Sequence, residues 1–121
     1  MLNRYWNMIK LELKFKDKVL KKIETEKPEI TIGRGPNTDI QIDNLAVSKQ
    51  HARLIKQKDQ YAVEDLNSTN GTFLNDGKIT KAILKHNDIV TVGKHTLEIY
   101  YNEETRKPTQ DFGDRTVKMK T

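Results

Sequence analysis

Apolar and polar residues alternate at the start of the chain: Ile9, Leu11, Leu13 and Phe15 interleave with Lys10, Glu12, Lys14 and Lys16. A period of two places one set on each side of an extended strand, so this segment predicts a strand with one buried and one wet face. Short runs rich in β-branched residues follow, among them Ile30-Thr31-Ile32, Asp39-Ile40-Gln41-Ile42 and Ile89-Val90-Thr91-Val92. Strands are expected at roughly residues 8–16, 19–25, 29–33, 39–42, 52–57, 61–66, 72–74, 89–93 and 96–101. Turn formers separate them: Lys16-Asp17-Lys18, Gly35-Pro36-Asn37, Lys58-Asp59-Gln60, Asn70-Gly71, Asn75-Asp76-Gly77, His86-Asn87-Asp88 and Gly93-Lys94. The Asn70-Gly71 pair between two apolar runs reads as a hairpin signal. No window repeats every 3.6 residues for long, so helix is minor. The expected fold is an all-β, antiparallel β-sandwich.

Composition sets the limits of that domain. The chain has 121 residues, enough for one core, and charged residues make up 32% of it. No run of apolar residues is long enough for a transmembrane helix, which argues against membrane insertion. The first residues lack the apolar segment of a signal peptide. Cysteine is absent, which excludes disulfides and thiolate chemistry and suits a reducing, cytoplasmic setting. Beyond Asn102 the composition shifts to polar residues with Pro108 and Gly113 as breakers. The expected organisation is a loose segment at 1–7, a domain at 8–102 and a flexible tail or linker at 103–121.

The formal net charge is +5, and its location decides what it means. Residues 1–22 hold all of the excess, leaving the remainder neutral. Lysines on the wet face of a strand discourage edge-to-edge pairing. Without exposed aromatics among them they offer no stacking platform for single strands, which argues against nucleic acid. An anionic surface remains the lesser alternative.

The informative residues are in the turns. Gly33-Arg34 closes a strand, Ser48-Lys49-Gln50-His51 precedes one, and Ser68-Thr69-Asn70-Gly71-Thr72 leads toward Asn75. An arginine fork, hydroxyls and a carboxamide gathered from such loops can satisfy a phosphate ester on a peptide. His51 reads as a buried, satisfied histidine; His86 and His95 read as turn histidines without partners at metal-ligand spacing. Asp39, Asp43, Asp65, Asp76 and Asp88 form no catalytic dyad or cation loop, and Gly33-Arg34-Gly35-Pro36 lacks the lysine and following helix of a nucleotide loop. The chain is therefore expected to be no enzyme and to hold no cofactor or metal.

With Gly-Arg, Ser-x-x-His and Asn-Gly-Thr-x-Leu-Asn in this order and spacing, the chain resembles the forkhead-associated (FHA) domain family from about Ile9 to Tyr100. That resemblance implies a sandwich of about eleven strands whose loops at one end bind phosphothreonine peptides. By motif, Arg34 and Ser48 correspond to the principal phosphate ligands. Thr69 corresponds to a third contact, through hydroxyl or backbone, and Asn70 to a contact with the peptide main chain. Lys49 occupies a slot that adds peptide or phosphate contacts, while Gly33, His51, Gly71 and Asn75 are scaffold. The implied role is a signalling module downstream of a Ser/Thr kinase, its partner a phosphothreonine protein, either a kinase substrate or a kinase. A phosphate-independent interaction module of the same fold is the alternative. Tail threonines supply a further expectation: Thr109 and Thr116 are followed three places later by Phe112 and Met119. Phosphorylated, either is a candidate ligand for this domain in cis or in trans. From Asn102, seven residues to Thr109 reach at most ~25 Å and fourteen to Thr116 at most ~50 Å, which favours Thr116 in cis.

Overall fold

A computed structural model describes residues 8–101, and the tail threonines lie outside them. The described chain contains strands and no helix. They are β1 (Ile9–Phe15), β2 (Lys18–Thr25), β3 (Glu29–Gly33), β4 (Ile40–Gln41), β5 (Ala52–Gln57), β6 (Gln60–Asp65), β7 (Thr72–Leu74), β8 (Gly77–Ile79), β9 (Lys81–Ile83), β10 (Ile89–Val92) and β11 (His95–Tyr101). One sheet has the order β2-β1-β11-β10-β7-β8 and the other β4-β3-β5-β6-β9.

The alternation along β1 does what its period predicts. Ile9, Leu11 and Leu13 are buried, and Lys10, Glu12 and Lys14 face outward. They meet Leu97, Ile99, Val90 and Val92 from their own sheet and Ile30, Ile32, Leu54 and Val63 from the other, forming one continuous core. The wet face of β1 is a lattice of opposite charges. Lys14 bonds Glu98 at 2.6 Å, while Lys10 reaches Glu24 and Lys22 reaches Glu12 at 3.9 Å. The hydrogen bond to Glu98 raises the Lys14 ammonium pKa, and the same bond lowers that of Glu98. Much of the amino-terminal charge is thus paired within its own sheet, as expected for a solvated face.

Two features depart from the sequence reading. The sandwich is antiparallel except for β3 and β4, which pair in parallel through Ile32↔Ile40 and Gly33↔Gln41. Asn70-Gly71 does not turn a hairpin: β6 pairs with β5 and β9, whereas β7 pairs with β10 and β8 in the opposite sheet. The segment is instead a crossing loop between sheets. The hairpin lies one step later, where Leu74 pairs with Gly77 and the two residues between them, Asn75 and Asp76, both have positive φ. Those angles are the signature of the type I′ turn that suits twisted strands.

Candidate functional site

Three loops meet at one end of the sandwich: β3–β4, β4–β5 and β6–β7. Backbone bonds join the first two, with Arg34 N–H donating to Ser48 O at 2.9 Å and Gly35 N–H to Lys49 O at 3.1 Å. Gly33 permits this approach. A Cβ there would lie 2.1 Å from the Lys49 carbonyl oxygen and 3.0 Å from that of Ser48. Backbone atoms cannot move aside cheaply, so the residue before Arg34 must be glycine for the loops to close on each other.

His51 fastens the second loop to the third. It is wholly buried. Its Nδ1 accepts from the Ser48 N–H at 3.1 Å, so its Nε2 carries the proton that goes to Gly71 O, 2.8 Å away. Its own N–H donates to Ile32 O and its carbonyl accepts from Leu66 N–H, both at 2.9 Å. One side chain therefore sets the separation of Ser48 from the Thr69-Asn70 segment.

Within this frame the candidate ligands come together, and each is partly committed. Arg34 is half-buried and spends its Nε on Val47 O at 3.0 Å. The outer guanidinium nitrogens have no protein partner among the described residues, so a bidentate face stays available. Ser48 Oγ accepts the Thr69 N–H at 3.0 Å, which ties the β4–β5 and β6–β7 loops directly. The Ser48 hydroxyl proton is then left to donate elsewhere. Of the two routes expected for Thr69, the backbone route is occupied by this bond, leaving its exposed hydroxyl. Asn70 Nδ2 donates to Ala46 O at 2.9 Å. One amide hydrogen and the carbonyl oxygen remain to meet a peptide backbone. Lys49 is exposed and borders an open groove of about 510 Å³ lined also by Pro36, Gln50, Ala52 and Leu66.

Of the expected scaffold residues, Gly33, His51 and Gly71 belong to this cluster. Gly71 has a φ of +87°, and a Cβ on it would meet the Lys78 side chain at 3.0 Å. Asn75 lies apart from the cluster. It bonds Asp88 and the Ile89 N–H, each at 2.9 Å, fixing the β7–β8 turn to β10.

Asp65 and Ser68, to which the sequence pattern assigns no role of their own, shape the third loop. Asp65 Oδ1 accepts from the hydroxyls of Ser68 (2.6 Å) and Thr72 (2.7 Å), and Oδ2 accepts from Ser68 N–H (3.1 Å). Ser68 Oγ in turn accepts from Gly71 N–H at 2.9 Å. The available signal was an Asp three places before a Ser, a spacing suited to local side chain to backbone bonding. Burial raises the Asp65 pKa, but the bonds from Ser68 and Thr72 outweigh it and leave the carboxyl below its ordinary value. Such a depressed value stabilises the fold above the unfolded pKa of about 3.9, and the contribution is lost as pH falls through the lower folded value. Melting curves between about pH 5 and pH 2 are expected to show this loss. Asp65→Asn turns an N–H toward the Ser68 N–H and costs about 1–2 kcal/mol at neutral pH, with a shallower acid dependence.

Among the described residues no group of His, Cys, Asp and Glu is placed to hold a metal ion, and no helix is long and apolar enough to cross a membrane. The site is a rim of hydrogen-bond donors around one guanidinium, at the loop end of a two-sheet sandwich. The sequence model of the FHA domain matches residues 30–93, which includes every one of these loops, and the chain belongs to that family. It is 38% identical over 65 residues to the oxoglutarate dehydrogenase inhibitor of Corynebacterium jeikeium, covering 54% of this chain and 45% of that protein. It is 35% identical over 72 residues to the glycogen accumulation regulator GarA of Mycolicibacterium smegmatis, covering 60% and 46%. The chain thus matches less than half the length of these curated relatives. A structure solved in an analysis of phosphothreonine-dependent FHA domain interactions superposes with a TM-score of 0.67 at 23% identity, covering 75% of this chain and 95% of that one.

Proposed function

We propose that this domain is a non-enzymatic binding module for phosphothreonine peptides, acting where a Ser/Thr kinase has modified the partner. The observation that carries the reading is that the three loops bearing Arg34, Ser48 and Thr69 are tied to one another by hydrogen bonds, while the outer guanidinium of Arg34, the Ser48 hydroxyl proton and the Thr69 hydroxyl stay unspent among the described residues. A phosphothreonine bears about −1.5 to −2 charge and three acceptor oxygens. One guanidinium cannot satisfy it alone, and neutral donors beside it complete the shell. Asn70 then holds the peptide main chain, and Lys49 adds a cation at the edge. Membership of the family and the regulator and inhibitor names of its relatives support the same reading. The absence of cysteine suits a reducing, cytoplasmic setting.

Selection of threonine over serine rests on one methyl group, worth only ~0.8 kcal/mol by transfer. Discrimination against unphosphorylated peptide is far larger. A paired calorimetric titration of one peptide with and without the phosphate is expected to give binding only with it. Equal affinity for both forms would reject the proposal in favour of a phosphate-independent module. Ser48→Ala removes one donor and uncouples Thr69 N–H, and is expected to weaken phosphopeptide binding by about 1–2 kcal/mol without abolishing it.

A further inference from the structure

β2 is the edge strand of its sheet, and among the described residues no strand pairs with its outer side. Only Ile23 and Thr25 are half-buried along it; its other residues are exposed. Such an edge offers a row of backbone donors and acceptors, and lysines commonly guard it against pairing. The guard holds where lysine meets lysine, so register decides what this edge can accept. A register shift between Leu13 and Lys14 marks a bulge that interrupts the regular ladder beyond Lys21. In the regular part, residues 21–25, Lys22 and Glu24 lie on the wet face opposite Glu12 and Lys10 of β1.

A second copy of this chain can add to the edge antiparallel, and residues directly opposed then share a face of the sheet. A two-fold axis at Lys21 or Lys22 opposes lysine to lysine, and one at Glu24 opposes glutamate to glutamate. Like charges so placed are destabilising. An axis at Ile23 avoids both. Isoleucine then meets isoleucine, Lys21 meets Thr25, and Lys22 meets the partner's Glu24 at two symmetric positions. The charges on the wet face alternate without a break: Glu12, Lys22, the partner's Glu24, the partner's Lys10. Within one chain Lys22 and Glu24 reach their partners only at 3.9 Å, and their side chains are 66% and 62% exposed. Each has room for a second ion pair. We propose that the chain forms a weak homodimer through residues 21–25, with the two-fold axis at Ile23.

The dimer leaves the candidate site clear. Phe15 pairs with both Lys18 and His95, which sets the β1–β2 turn beside the β10–β11 turn. A Cβ on Gly93 in that second turn would lie 2.9 Å from the Val47 side chain, so both turns belong to the end that carries the ligand loops. From Lys18 to Ile23 is about 17 Å of strand. The antiparallel edge therefore points the two sites in opposite directions, and one dimer can hold two ligands at once. The inference does not depend on what those sites bind.

Sedimentation velocity of the full chain tests it, with Lys22→Glu and Glu24→Lys each alone and as an equimolar mixture. The native chain is expected to shift toward a dimer at concentrations on the order of 0.1–1 mM, as suits a small, transient interface. Either variant alone opposes like charges at both symmetric positions and is expected to weaken association by about tenfold or more. In the mixture, the paired carboxylates of one variant face the paired ammonium groups of the other, and association is expected to return. Both positions are exposed, so the variants are expected to melt close to the native chain. A native chain that stays monomeric, variants that associate as it does, or a mixture no better than its components overturns the inference.

Discussion

Arg34→Ala is expected to abolish measurable binding of a phosphothreonine peptide while leaving the fold intact. Among the described residues, the outer nitrogens of Arg34 are the one cationic fork on the rim, and a charge-assisted bond is worth roughly 1.5–3 kcal/mol. Losing two such bonds removes roughly 3–6 kcal/mol, or two to four orders of magnitude in affinity. The core does not depend on this side chain, whose only protein bond among the described residues is Nε to Val47 O. Arg34→Lys separates charge from geometry. An ammonium keeps the positive charge but cannot hold Val47 O and offer a planar pair of donors at once, so a loss of more than about tenfold is expected. Isothermal titration with one phosphopeptide distinguishes the three proteins. If Lys were to restore full affinity, simple charge attraction would replace the fork in this account.

His51→Phe is expected to be the most damaging change to the scaffold, although His51 contacts no ligand. The substitution keeps an aromatic ring of similar size in a fully buried position but removes both ring nitrogens. Ser48 N–H loses its acceptor and Gly71 O its donor. Each buried polar group left without a partner costs about 1–3 kcal/mol, so for the two a destabilisation of about 2–6 kcal/mol is expected. For a domain of this size that lowers Tm by roughly 10 °C or more. Phosphopeptide affinity is expected to fall as well, because the bond from Thr69 N–H to Ser48 Oγ depends on the spacing that His51 sets. Thermal melting followed by circular dichroism checks the first effect. An unchanged Tm would mean that the loops are held by something other than this imidazole.

Local chemistry explains what the sequence disclosed and what it concealed. The alternation of β1 and the β-branched runs at β3, β4 and β10 identify strands because their buried residues fall on one face. β8 and β9 escaped notice because they are three-residue strands whose residues are largely exposed or half-buried, as at Lys78 and Lys81. Asn70-Gly71 misled because an Asn-Gly pair reports only that the chain turns. Whether the flanking strands then pair is decided by which sheet each joins, a non-local matter. The parallel β3–β4 pair is likewise set by tertiary contact rather than by either strand's own pattern. At the candidate site, the grouping of Arg34, Ser48, Thr69, Asn70 and His51 was legible because their spacing matched a family pattern. The structure places all five in one hydrogen-bonded cluster and sets Asn75 apart from it. Asp65 and Ser68 offer only the local spacing of an Asp three places before a Ser, and their part is defined by the bonds to Thr72 and Gly71.

In the proposed complex, donors from three loops converge on one phosphate. Nuclear magnetic resonance of the isotopically labelled chain tests it most directly, by titrating in a phosphothreonine peptide and following the Arg34 guanidinium together with the amides of Ser48, Thr69 and Asn70. These signals are expected to move together and saturate with a single affinity, and the unphosphorylated peptide to move none of them. Perturbation confined to the lysines of β1 and β2, with the Arg34 signals unmoved, would contradict it.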